Sequence, residues 1–236
     1  MGFMTRLASQ STLTGASAVE ITEHDARIGD LSLHYLQAGH GAPVVFLHGF
    51  AETSHMWRPA LAALAHDHTV LAIDLPGAGG SSRPDTGYDK KTMAREVRAA
   101  VRLLGHHRVQ LVGHDIGLMV AYAYAAQFPG EVDSLVLMDA FLPGIGAYHE
   151  MFLGPDQWHF HFHGATPEAL VAGRERIYLE HFWNDLAADP RRSVPEATAR
   201  CTRATTPGRP GCARRWRTSP RSNRTLRTSQ GSPGPR

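Results

Sequence analysis

The sequence predicts an α/β protein: a doubly wound, mostly parallel sheet with a helical insertion near its carboxyl end. Apolar runs of strand length alternate with longer segments of helical spacing from residue 28 to residue 138, the pattern of strands joined by crossover helices. In such a sheet the ligand site lies at the strands' carboxyl ends, and there the chain carries loops rich in glycine and aspartate. From Phe141 the alternation gives way to a stretch rich in aromatic residues and histidine.

Ile28 to Leu36 alternates in the manner of a half-buried strand, and Val44 to Leu47 is a short buried one. Met56 to Ala65 has helical spacing, with Trp57, Leu61 and Leu64 on one face. Thr69 to Leu75 is the next buried strand and runs into the loop Asp74-Leu75-Pro76-Gly77-Ala78-Gly79-Gly80-Ser81-Ser82. That loop lacks the Gly-x-Gly-x-x-Gly and Lys-Ser/Thr patterns of phosphate binding. Thr92 to Leu104 is a helix, Val109 to Val112 a strand, Ile116 to Phe128 a helix and Val132 to Met138 a strand. His149 to Asp189 is mostly helical, with Pro155, Gly164 and Pro167 as breaks, the layout of a cap over a pocket. The expected organisation is a main domain over residues 1–140, a partial helical cap over 141–195 and a tail over 196–236.

Charge separates the tail from the rest. Residues 1–195 hold 14 Lys and Arg against 21 Asp and Glu, whereas residues 196–236 hold ten Arg and one acid, Glu196. The overall pI of 8.7 therefore gives no reason to expect nucleic-acid binding by the domain. Trp216 and Leu226 are the tail's large apolar residues, too few for a core, and the tail is expected to be disordered. Cys201 and Cys212 both lie in it, so they carry no disulfide or metal-site expectation. No secretory segment, myristoylation pattern or run of membrane-spanning length is visible, which makes the cytoplasm the default location.

The chemistry concentrates in Gly113-His114-Asp115-Ile116-Gly117, placed between an apolar strand and a helix. At a strained strand-to-helix turn the positions two before and two after the exposed residue must be small, and glycine holds both. The usual nucleophile at such an elbow is serine, but a serine that displaced a leaving group from an sp3 carbon would end as an ether that water does not readily cleave. Aspartate ends as an ester, whose carbonyl water can attack. Asp115 therefore points to epoxides or alkyl halides, and away from esters, amides and lipids.

With His48-Gly49-Phe50, the Asp74 loop, the elbow, Trp158-His159-Phe160 and the segment Gly173 to Phe182, the chain resembles the epoxide hydrolases of the α/β-hydrolase superfamily and their haloalkane and haloacetate dehalogenase relatives, over about Ile28 to Pro195. The resemblance implies an α/β-hydrolase fold with a helical cap, and a small-molecule epoxide or halide substrate with no cofactor or metal. It makes Asp115 the nucleophile and places oxyanion N–H groups at Phe50 and Ile116. His48, His114 and Trp158 would then border the substrate. In the bacterial subgroup that the cap segments resemble, a cap histidine, here His159, replaces one of two tyrosines that polarise the epoxide oxygen. That subgroup takes its charge-relay acid from the position of Asp139. Haloalkane dehalogenases carry Trp after the nucleophile and haloacetate dehalogenases carry arginines there, whereas Ile116-Gly117-Leu118-Met119 offers neither, which favours epoxides.

One part is missing from the sequence pattern. The family draws its water-activating histidine from a loop after the last strand, and residues 196–236 contain no histidine. The last strands of the fold are expected to be missing, and the chain to stop at the ester as a truncated, inactive form, the alternative being a non-catalytic binding protein that keeps the pocket without the base. The tail reads as out-of-frame coding sequence from about residue 196.

Overall fold

The computed structural model describes residues 19–189 and Val194; the basic tail, its cysteines and the proposed frame change lie outside the described residues. Two antiparallel strands come first, β1 (Thr22–Ile28) and β2 (Leu31–Ala38). The single strand expected from Ile28 to Leu36 is thus a hairpin turned at Gly29-Asp30, where Gly29 takes a φ of 59° at the first loop position, as a II′ turn requires. Then follow β3 (Ala42–Leu47), α1 (Arg58–Leu64), β4 (His68–Ile73), α2 (Lys90–Leu103), β5 (Val109–His114), α3 (Ile116–Gln127) and β6 (Val132–Met138). The helix expected from Met56 begins as a 3-10 turn, Ser54–Trp57, before α1.

The six strands lie in the order β1-β2-β4-β3-β5-β6. β2 joins β4 antiparallel, and β4, β3, β5 and β6 run parallel, each linked to the next in sequence through a helix. Both faces of the central strands are buried. Val45, Leu47, Leu71, Ile73 and Leu111 point to the side packed by α2 and α3, while Val44, Phe46, Val70 and Ala72 point to the side of α1, against Trp57 and Leu61. Period-two side-chain direction in strands buried on both faces explains why these segments read as continuous apolar runs. α2 starts at Asp89, whose carboxylate accepts the Thr92 N–H at 2.9 Å. Among the described residues no strand pairs with the outer side of β6, and its Val136, Leu137 and Met138 are 37–46% exposed.

After β6 the chain forms short helical pieces: α4 (Tyr148–Phe152), a 3-10 segment (Pro155–Phe160), α5 (Ala165–Val171), α6 (Glu175–Glu180) and a π-helical turn (His181–Asp185). Pro155 and Pro167, expected as breaks in this stretch, each sit in the first turn of a helical piece, Pro155 as its first residue and Pro167 as its third, where no intrahelical N–H bond is lost. Phe141 anchors this layer, packing with Leu118 and Met119 of α3 and with Phe152 and Phe160. No helix among the described residues is long and apolar enough to cross a membrane.

Candidate active site

Asp115 sits between the end of β5 and the start of α3 with φ 49° and ψ −122°, a backbone region that costs a non-glycine residue about 1–3 kcal/mol. The close approach that forces this turn also dictates the glycines. A Cβ on Gly113 would run into the carbonyl of Gly117, and one on Gly117 into the carbonyls of Leu47 and His48. The backbone N–H of Asp115 donates to Met138 O at 3.1 Å, tying the elbow to β6. The described residues include three non-glycine residues at positive φ, Ala51, Asp115 and Asp139, and all three line one cavity of about 1660 Å³ at the carboxyl ends of the strands.

The loop after β3 closes one side of that cavity. Phe50 N–H donates to Asp115 Oδ2 at 2.7 Å, and Ile116, as the first residue of α3, presents an N–H that has no partner inside the helix. An N–H already aimed at Asp115 suits a reaction in which the carboxyl group of Asp115 itself becomes the tetrahedral centre. His48 differs from expectation. It is 1% exposed and does not line the cavity; its Nδ1 is 2.8 Å from Gly49 O and its Nε2 accepts the Leu75 N–H at 3.0 Å. Both ring nitrogens are consumed in pinning the loop to the end of β4, so the side chain has nothing left to offer a substrate.

His114 does reach the cavity. Its Nδ1 lies 3.0 Å from Glu52 Oε2, and that hydrogen bond is the main reason its imidazole is held above the ordinary histidine range. Glu52, absent from the sequence expectations, also accepts the Gly49 N–H at 3.0 Å. Asp139, expected as a charge-relay acid, borders the cavity with its side chain 91% exposed and Oδ2 3.8 Å from His114 Nε2.

The opposite wall is aromatic. His159 lines the cavity, packs edge-on against Phe182 with centroids 5.1 Å apart, and has a buried Nδ1 with no hydrogen-bond partner. Burial lowers its pKa, partly offset by the Asp115 charge. Trp158, its neighbour, differs from expectation: it does not line the cavity but packs against Phe162, Tyr178 and His181, because successive residues of a 3-10 turn point about 120° apart. Tyr178 and Phe182, quoted in the sequence pattern without a role, do line the cavity. Their rings lie 6.2 and 5.2 Å from that of Phe50, so the residue that supplies the N–H to Asp115 also carries a contact between the loop after β3 and the helical pieces after β6.

Residues 42–198 match the protein family described as alpha/beta hydrolase fold. A soluble epoxide hydrolase of Corynebacterium sp. (strain C12) is 39% identical over 175 residues, covering 72% of this chain and 61% of that protein. A fluoroacetate dehalogenase of Burkholderia sp. is 34% identical over 163 residues, covering 65% of this chain and 53% of that protein. Among solved structures, wild-type Cfl2 from Burkholderia cenocepacia aligns with a TM-score of 0.74 at 34% identity, over 80% of this chain and 67% of that one. The ligand-free epoxide hydrolase CorEH aligns with a TM-score of 0.69 at 35% identity, over 76% and 66%. The chain thus spans about three fifths and one half of the two curated relatives. With strand order, elbow and a family match over more than half its length in agreement, the chain belongs to the α/β-hydrolase fold family.

Proposed function

We propose that the chain carries the site of an epoxide hydrolase, in which Asp115 opens the ring through an alkyl-ester intermediate. The observation that carries this reading is the carboxylate of Asp115, held at a strained elbow with Phe50 N–H on Oδ2 and an aromatic, histidine-bearing wall across the cavity. One carboxylate oxygen attacks an epoxide carbon and the ring C–O bond breaks. The alkoxide that develops on the ring oxygen accepts a hydrogen bond from the N–H of His159 and takes its proton from solvent water. Oδ2 stays in the grip of Phe50, poised to become the oxyanion when water later attacks the ester carbonyl. The helical pieces within residues 141–189 act as a cap and supply aromatic, apolar surroundings in which these charges interact strongly.

Similarity to both an epoxide hydrolase and a fluoroacetate dehalogenase keeps a halide-displacing reading in second place. Its difficulty is that no cation follows the nucleophile to hold a substrate carboxylate, since positions 116–119 are Ile, Gly, Leu and Met. The test is a single turnover in heavy-oxygen water. The diol's new oxygen should come from Asp115 and not from solvent, and the protein should take up solvent oxygen at that residue. Solvent oxygen in the first diol would refute the ester.

A further inference from the structure

This inference rests on the reading above and concerns how the Phe50 N–H comes to be held on Asp115. The loop after β3 is tied down in two directions. Toward β4, His48 Nε2 accepts the Leu75 N–H at 3.0 Å and Asp74 Oδ1 accepts the Ser54 N–H at 2.6 Å, which fixes both ends of the segment from His48 to Ser54. Toward the elbow, the tie is Glu52. Its Oε2 accepts the Gly49 N–H at 3.0 Å and lies 3.0 Å from Nδ1 of His114, the last residue of β5. An ionised carboxylate has no proton to donate, so Nδ1 carries the hydrogen and donates it. Ala51, at φ 59°, makes the left-handed turn between Phe50 and Glu52. Loop, acid and elbow converge on one point: a Cβ built on Gly49 would lie 2.8 Å from Asp115 Cβ, 2.9 Å from Glu52 Oε2 and 2.9 Å from His114 Nδ1.

We infer that Glu52 is a positioning residue for Asp115, setting the distance between the Phe50 N–H and the carboxylate it serves. Gly49 directly precedes the donor, Phe50, and His114 directly precedes the acceptor, Asp115. One carboxylate oxygen therefore grips the chain one residue before each partner of the 2.7 Å bond from Phe50 to Asp115 Oδ2. Without that grip the loop stays tied to β4, and the Phe50 N–H can swing away from Oδ2. A misplacement of about 1 Å at such a donor costs about 100-fold in rate. Three carboxylates face His114: Glu52 from the loop after β3, Asp115 from the elbow and Asp139 after β6. Nδ1 keeps its hydrogen whether the ring is neutral or cationic, so the grip survives the titration of His114.

The experiment uses the full 236-residue chain in two measurements. The first treats it with styrene oxide and follows ester mass on the Asp115 peptide. Glu52→Ala should lower the saturating rate of ester formation about 10- to 100-fold with the half-saturating concentration unchanged. Glu52→Gln, whose amide oxygen still accepts from Gly49 and His114, should restore most of that rate. The second measurement, which needs no epoxide, is the amide proton resonance of Phe50. Its charge-assisted bond to Asp115 places it downfield; Glu52→Ala should move it upfield and Glu52→Gln should leave it in place. A folded Glu52→Ala chain that keeps both the rate and the Phe50 resonance would overturn the positioning role while leaving alkylation by Asp115 intact. Should Glu52→Ala not fold, Glu52→Gln decides. Its His114 titration midpoint must fall to lower pH, because the Glu52 hydrogen bond is the main reason that this pKa is raised, and an unshifted midpoint would overturn the grip. A chain that never carries the ester, yet loses the downfield Phe50 resonance in Glu52→Ala, would overturn the alkylation reading and uphold Glu52 as the residue that places the donor.

Discussion

Replacing His159 with phenylalanine separates a functional histidine from a packing one, because stability and activity should move in opposite directions. The ring packs against Phe160 and Phe182 with centroids 4.6 and 5.1 Å away, contacts that a phenyl group of nearly the same shape keeps. What it removes is the buried, unpartnered Nδ1. A buried polar atom without a partner costs roughly 1–3 kcal/mol, and because the ring borders a cavity, the gain from removing it belongs at the lower end, about 1 kcal/mol. On the proposed reading the same change also deletes the donor to the substrate oxygen, and losing such a group slows its step by about two to four orders of magnitude. Urea unfolding of both chains should therefore show an equal or higher midpoint for His159→Phe, while the rate of ester formation on Asp115 falls at least about 100-fold. Ester formation at the original rate would return His159 to the aromatic core.

Three further outcomes follow from the same geometry. Gly117→Ala drives a Cβ into the carbonyls of Leu47 and His48 and should lower stability by about 1–3 kcal/mol, read from the urea midpoint; an unchanged midpoint would mean that α3 can draw back from β3 at no cost. The His114 pKa is raised by its Glu52 hydrogen bond, so the stability it contributes is full below the ordinary histidine value of 6.5 and is lost as pH rises through its higher folded value. His114→Gln should flatten that part of the stability profile, and the same slope in both chains would contradict the ion pair. Val136→Lys places a charge on β6, whose outer side pairs with no strand among the described residues and where Val136 is 46% exposed; any concentration-dependent self-association seen in sedimentation should weaken, and no change would clear that edge of a part in it.

The elbow was legible because its constraint appears as residue type: backbone packed against backbone demands glycine at 113, against Gly117, and at 117, against the distant Leu47 and His48, and sequence displays both glycines directly. The buried strands were legible for the same kind of reason, since burial on both faces leaves an apolar run. β1 was not, because Thr22-Glu23-His24-Asp25-Ala26-Arg27-Ile28 is polar, buries Ala26 alone, and exists through its pairing with β2. Side-chain direction was the other blind spot. His48 lies at the carboxyl end of a strand, where nothing in the sequence says whether the imidazole faces the pocket or the neighbouring strand's end. Glu52 reads as one more loop acid until the fold brings it to His114, 62 positions away.

Phe50 joins two jobs in one residue, since its N–H holds the Asp115 carboxylate while its ring rests on Tyr178 and Phe182. Selectivity and speed are therefore mechanically linked. If the proposed function holds, trimming Phe182 to admit a bulkier substrate removes a prop from the Phe50 ring and frees the donor beneath it, so a broadened substrate range would come with slower attack by Asp115. An engineered variant that needs both would have to gain its space elsewhere along the cavity, at Met151 or Leu186, where widening leaves the Phe50 contacts in place.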